Sequence, residues 1–296
     1  MIIKNTARMI QELGQRSNQE DSLFPPYTPK TLSQECYILC DGMGGHSAGE
    51  VASGAVCEAM GRYVGEHPRD DGCYGEEDFQ AALDAAFDAL DELDDGAEKK
   101  MGTTLTFLKI HRSGCFVAHI GDSRVYQIRP SEKELLFVTR DHSLVNDLIA
   151  LGELTPEEAR TSPQRNVITR AIQPHLERRP RADMVNLTDI RAGDYFFLCS
   201  DGMLENTEDG ELVNILSMNC PDAEKIKMLL GVTRENRDNH SAILVHIGEV
   251  SGEESDALPQ PPVIERKSRH IWLLVCVFLA LLLLASLYIV YKIKTN

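Results

Sequence analysis

The stretch Cys36–Ser53, CYILCDGMGGHSAGEVAS, constrains this chain more than any other. Cys36, Tyr37, Ile38, Leu39 and Cys40 lead into Asp41, and the run reads as a buried strand that ends on a carboxylate. Unbroken apolar character over this length, followed by glycines, suits a strand covered on both faces. Gly42, Gly44 and Gly45 then let the backbone turn sharply and approach closely whatever the aspartate binds. From Ser47 to Glu66, the residues Val51, Ala55, Val56, Ala59, Met60 and Tyr63 recur at helical spacing. A carboxylate at a strand end, beside an uncovered backbone carbonyl, offers the oxygen ligands that a hard divalent cation prefers. An Asp-Gly pair alone is ordinarily just a turn, so the rest of the chain has to carry the argument.

Other carboxylates recur in the same setting, at the end of an apolar strand or in a tight turn after one. They are Glu20-Asp21, Asp122 in HIGDSR, Asp201 in FFLCSDG, and Asp238 just before the last strand-like run. Brought together at one edge of a sheet they would repel one another, and divalent ions are the natural way to hold them. With oxygen donors and no Cys or His at ligand spacing, Mg²⁺ or Mn²⁺ is favoured over Zn²⁺.

The intervening segments read as strands and helices in blocks. Strand-like runs cover 103–110, 115–120, 124–129, 135–139, 195–200 and 242–247; helical patterns cover 47–66, 78–93, 144–151, 156–160, 209–217 and 222–236. Strands joined by short turns argue for antiparallel sheets in an α+β fold. Residues 1–265 hold all 46 Asp and Glu against 25 of the 30 Lys and Arg, a charge of −21. Such a domain is a poor nucleic-acid binder, with few clustered cations to displace counterions. The eight cysteines form no C-x-x-C pair, and several lie inside apolar runs as small hydrophobes, which implies a reducing compartment.

These pieces together resemble the metal-dependent protein phosphatases of the protein phosphatase 2C type, in their bacterial serine/threonine branch. The motifs appear in order: R-x-N-x-E-D at Arg16–Asp21, DGMGGHSAGEVAS, MGTTL at Met101–Leu105, IGDSRVY at Ile120–Tyr126, RDHSLV at Arg140–Val145, RNVITRAI at Arg165–Ile172, AGDYFFLCSDGM at Ala192–Met203 and RDNHS at Arg237–Ser241. The resemblance implies two antiparallel sheets packed face to face with helices outside each, an α-β-β-α sandwich. It implies phosphorylated protein substrates and a cofactor of Mn²⁺ or Mg²⁺, as two or three ions. Carried over by position, Asp41 would bridge two metals, the carbonyl of Gly42 would bind one, and Asp201 and Asp238 would complete the other. Glu20 and Asp21 would act through bound water, Asp122 would join Asp201 at a third metal, and Arg16 would grip the substrate phosphate. The mechanism implied is attack on phosphorus by metal-activated water, so Arg16, Asp41 and Asp201 would carry catalysis.

One position departs from the eukaryotic pattern, which has a His directly after the first Asp-Gly; here Met43 stands, as in many bacterial members. His46 follows three residues later. His119 reads as a satisfied core residue, His142 as a loop-fixing one, and His240 as a neighbour of the site. Segment 144–176 corresponds to the family's flap beside the active site. A relative without activity, acting as a binding module, and a hydrolase of small phosphoesters are the alternatives that the sequence leaves open.

The resemblance implies a catalytic domain at 1–248, and composition marks a Pro-containing linker at 249–270, an uncharged segment at 271–291 and a short tail at 292–296. Twenty-one residues of helix span roughly 31 Å, about one hydrocarbon thickness. The expectation is one C-terminal transmembrane helix, hence a single-pass protein of the bacterial inner membrane with its catalytic domain in the cytoplasm. A serine/threonine kinase is the expected partner, and nucleic acid is not.

Overall fold

The structure, a computed structural model, describes residues 2–44, 48–94, 96 and 101–251. Residues Met1–Gly252 form one compact unit. Two antiparallel sheets make its centre. The first runs in the order β1 (Ile2–Glu12), β11 (His240–Ser251), β10 (Tyr195–Cys199), β7 (Arg124–Arg129), β8 (Glu134–Val138). The second runs β2 (Asp21–Phe24), β3 (Cys36–Met43), β5 (Leu105–His111), β6 (Gly114–Ile120), β9 (Asp183–Leu187), with the short β4 (Gly102–Thr103) paired to β3.

The unbroken apolar runs follow from this layering. Tyr37 and Leu39 of β3 face the other sheet, with Leu108, Val117, Phe196, Leu198, Ile243 and Val245. Ile38 and Cys40, on the opposite face, pack with α1 (Ala48–Glu66) and α2 (Glu76–Asp91) through Val56, Met60, Phe79, Leu83 and Phe87. On the far side, Tyr126, Phe197 and Leu244 pack with Leu212, Leu216 and Leu229 of α5 (Asp209–Leu216) and α6 (Asp222–Val232). Each central strand therefore has two dry faces, because its period-two alternation sends side chains into two different cores. The expected α-β-β-α order is present. The short helices α3 (Leu144–Ala150) and α4 (Pro156–Thr161) lie in the segment that the sequence marks as a flap. Thr155 caps α4 by accepting the Glu158 amide, while the Glu158 carboxylate accepts back from the Thr155 amide at 2.8 Å.

Two expectations need correction. Among the described residues no helix is long and apolar enough to cross a membrane. The longest, α1 with 19 residues, carries Glu50, Glu58, Arg62 and Glu66, charges that a spanning helix could not leave in hydrocarbon. The uncharged segment 271–291 lies outside the described residues, so the transmembrane element of the expected fold and the single-pass inner-membrane location are not upheld. Three strands were also not foreseen: β1, β2 and β9.

Candidate active site

The carboxylates of widely separated motifs meet at one end of the sandwich, and strand register brings the first two together. In the β2–β3 ladder Asp21 lies directly opposite Asp41, a pairing of like charges that is unfavourable unless something offsets it. The Gly42 amide donates to the Glu20 carbonyl at 3.0 Å, holding that corner closed. A Cβ on Gly42 would lie 2.1 Å from the Gly49 carbonyl oxygen, so only glycine lets the start of α1 approach this closely. At the end of β10, Gly202 similarly makes room for the Asn239 carbonyl, which a Cβ there would meet at 2.0 Å. The strand-to-helix turn thus brings Asp201 beside Asp238.

A cavity of about 250 Å³ lies over this cluster, lined by Arg16, Glu20, Asp41, Gly42, Asp122, Asp201 and Asp238, with Asn166, Ile168 and Asn239. Asp21 is buried beneath it, its Oδ2 accepting the Ser200 hydroxyl at 2.9 Å. Asp41 is within hydrogen-bonding reach of Asp201. Burial above all, then repulsion from neighbouring carboxylates, holds four carboxyl groups above the ordinary range. Burial followed by Asp21, Asp201, Asp122 and Asp238 raises Asp41 strongly. Burial, partly offset by hydroxyl donors, moves Asp21 up to about 7, and burial with Asp201 and Asp141 moves Asp122 up to about 7. Asp201 is raised by burial and Asp238.

Two oxygens of this cluster, Asp21 Oδ1 and Asp122 Oδ1, are buried and lack a hydrogen-bond partner among the described residues. Concentrated negative charge, unsatisfied oxygens and a donor set made only of oxygen fit a hard divalent cation such as Mg²⁺ or Mn²⁺. Arg16 reaches the site, but its Nη2 donates to Asp238 Oδ2 at 2.6 Å. A guanidinium has five N–H donors, so this pairing does not use up its capacity for a phosphate. Met43 lines the cavity and has no proton to give; His46 lies outside the described residues.

Several residues that organise the site were not singled out in the sequence. The Asn239 side chain accepts the Glu20 amide at 2.8 Å and donates to the carbonyls of Leu13 and Asn18. Thr104 Oγ1 accepts the Asp41 amide at 3.0 Å, and Ser53 donates to the Glu20 carbonyl. Asn166 comes from the RNVITRAI motif and reaches the carboxylates. The motifs signalled Asn239 and Asn166, but nothing in one sequence says whose backbone an Asn will satisfy.

His119 and His142 are buried and stacked, ring centroids 4.5 Å apart, and their ligand atoms lie within 4.8 Å of an Asp183 oxygen. Despite that spacing the group is poorly suited to metal. His142 Nδ1 accepts the Gly121 amide at 3.1 Å, which keeps the proton of the neutral ring on Nε2. Arg170 Nη1 also stands 3.0 Å from Nε2 and 2.8 Å from Asp183 Oδ1. The cluster fixes the turn before Asp122. His240 Nδ1 faces the Asp238 carbonyl at 3.0 Å.

Two sheets under flanking helices, with a carboxylate cluster at one end, make a site for divalent cations, and similarity to known proteins specifies its chemistry. A sequence profile of the protein phosphatase 2C family matches residues 14–228. The protein phosphatase PhpP of Streptococcus pneumoniae is 35% identical over 249 residues, covering 83% of this chain and 98% of that protein. The serine/threonine phosphatase PstP/Ppp of Mycobacterium tuberculosis has a crystal structure that superposes with a TM-score of 0.69 at 33% identity, over 83% of this chain and 100% of that one. The PstP catalytic domain solved with two manganese ions gives a TM-score of 0.68 at 31% identity, over 84% of this chain and 100% of that one. The chain belongs to the protein phosphatase 2C family, in its bacterial serine/threonine branch, and is a metal-dependent protein phosphatase with Mn²⁺ or Mg²⁺ as cofactor.

Proposed function

We propose that residues 1–248 remove phosphate from phosphoserine and phosphothreonine in proteins, reversing the work of a serine/threonine kinase, at the site ringed by Asp41, Asp201 and Asp238. The observation that carries this reading is the convergence of Asp21, Asp41, Asp122 and Asp201 with two buried, unpartnered carboxylate oxygens. When bound, the divalent ions lower the pKa of water and neutralise charge on the phosphoryl oxygens. Asp41, Asp201, Asp238 and the Gly42 carbonyl are the groups to hold them, with Glu20 and Asp21 behind and Asp122 contributing to a further ion. Arg16 binds and orients the phosphoryl group with the N–H donors that Asp238 does not occupy. A serine/threonine kinase, which supplies such substrates, is the proposed partner.

The test is phosphate release from a phosphothreonine peptide with Mn²⁺, Mg²⁺ or EDTA, beside Asp201→Asn. Activity should need metal and fall by about 10²–10³-fold in the variant, the scale of losing one preorganised charge interaction. Release that persists in EDTA, or is untouched in Asp201→Asn, would sink the assignment.

A further inference from the structure

Beyond the carboxylates the site opens into a larger cavity, and its walls differ in character. This cleft, about 650 Å³, begins at Arg16, Asp122, Asp201 and Asp238. That volume has room for more than a phosphate group, since pockets of roughly 300–1,000 Å³ take a drug-sized ligand. Away from the carboxylates, α3 and α4 contribute Val145, Ile149, Pro156 and Ala159, and Leu204 joins them from the turn Asp201–Leu204. Val145 and Ala159 are buried and do structural work. Ile149 and Leu204 are only half-buried and Pro156 is exposed, so their apolar surface is available to whatever enters. Arg165 and Arg237, both exposed, also line the cleft.

Resting on the protein phosphatase reading, we infer that this wall receives an apolar side chain next to the phosphorylated residue, so that phosphoproteins with Leu, Ile, Val or Met at that point are preferred substrates. The occupant follows from continuity: the cavity that holds the phosphate end also holds the wall, and the polypeptide carrying the phosphate must leave along it. Apolar surface moved from water onto Ile149 and Leu204 favours binding, whereas a carboxylate laid against those two side chains gives up hydration and gains no such burial. One well-fitted apolar group is worth about tenfold or more in discrimination.

The experiment uses the full chain with Mn²⁺ and a set of phosphothreonine peptides bearing Leu, Ala or Glu on either side of the phosphothreonine, with p-nitrophenyl phosphate as a substrate too short to touch the wall. The inference expects kcat/KM for a Leu-flanked peptide to exceed that for its Glu-flanked counterpart at least tenfold. Ile149→Glu should lower the ratio of peptide to p-nitrophenyl phosphate kcat/KM about tenfold, and Ile149→Ala about threefold. Equal hydrolysis of all peptides, a Glu preference, or an unchanged ratio in both variants overturns the apolar wall and leaves the phosphatase reading standing. Hydrolysis of p-nitrophenyl phosphate with no peptide accepted overturns both.

Discussion

The carboxylate opposite Asp41 gives the sharpest quantitative prediction. Asp21 is buried, 3% exposed, and its carboxyl is pushed up to about 7 from 3.8. In the metal-free chain the folded state therefore holds a proton between about pH 4 and 7 that the unfolded state releases. Stability falls with rising pH wherever the folded state binds more protons, so this group weakens the fold progressively across that window. About three pH units at 1.36 kcal/mol each give about 4 kcal/mol by pH 8. Asp21→Asn keeps the shape, still accepts the Ser200 hydroxyl through its amide oxygen, and carries no charge. In EDTA the two proteins should unfold alike near pH 4, and the variant should become more stable by up to about 4 kcal/mol at pH 8. For a domain of this size that is roughly 8–16 °C in melting temperature. Circular-dichroism melts of both proteins from pH 4 to 8 read the difference directly and cancel the contribution of His111, His119 and His142. Saturating Mn²⁺ should then stabilise the wild type more than the variant, with the gap widest at high pH. A constant difference across pH, or a wild type that outlasts Asp21→Asn at pH 8 in EDTA, would refute the burial of an uncompensated carboxyl as the reason this site takes a cation.

Other changes test the architecture around it. Gly42→Ala puts a methyl group 2.1 Å from the Gly49 carbonyl, so it should cost about 3 kcal/mol or more in urea unfolding and loosen Mn²⁺ binding by calorimetry. Arg129 is 2% exposed and bonded to Asp194 and Asp189. Arg129→Met leaves the buried Asp194 charge without its partner and should cost about 3–5 kcal/mol in denaturant melts, whereas Arg129→Met with Asp194→Leu should recover much of that loss. Ser200→Ala removes the hydroxyl that serves Asp21, and should destabilise the metal-free fold by about 1–3 kcal/mol at pH 8.

The parts of this fold that were legible in sequence are those with two dry faces. β3 and β10 read as strands because every residue of each is apolar up to the carboxylate. β1 was invisible for the opposite reason: Ile2–Glu12 mixes Lys4, Asn5, Thr6 and Arg8 with its apolar residues, and its strand state comes from the ladder with β11. β9 is an edge strand of five residues with no buried position, so tertiary pairing decides it. At the site, Asp41, Asp122 and Asp201 could be found because each follows an apolar run, and Asp238 because it stands just before one. The grip of Arg16 on Asp238, and the hold of Asn239 on three backbone groups of residues 13–20, could not, since both join residues more than two hundred positions apart.

That distance has a consequence for how the chain is made. β1 leaves the ribosome first, yet its main partner is β11, whose pairing runs from Ile2↔Ser251 to Glu12↔His240. At about 5–20 residues per second the first strand waits roughly 12–48 s for the last one. During that interval Arg16 and Glu20 exist without Asp238 and Asn239, the residues they pair with in the folded domain. The corner at which the carboxylates meet is therefore closed by the last strand to be made, and by the proposed assignment an incomplete chain would be inert.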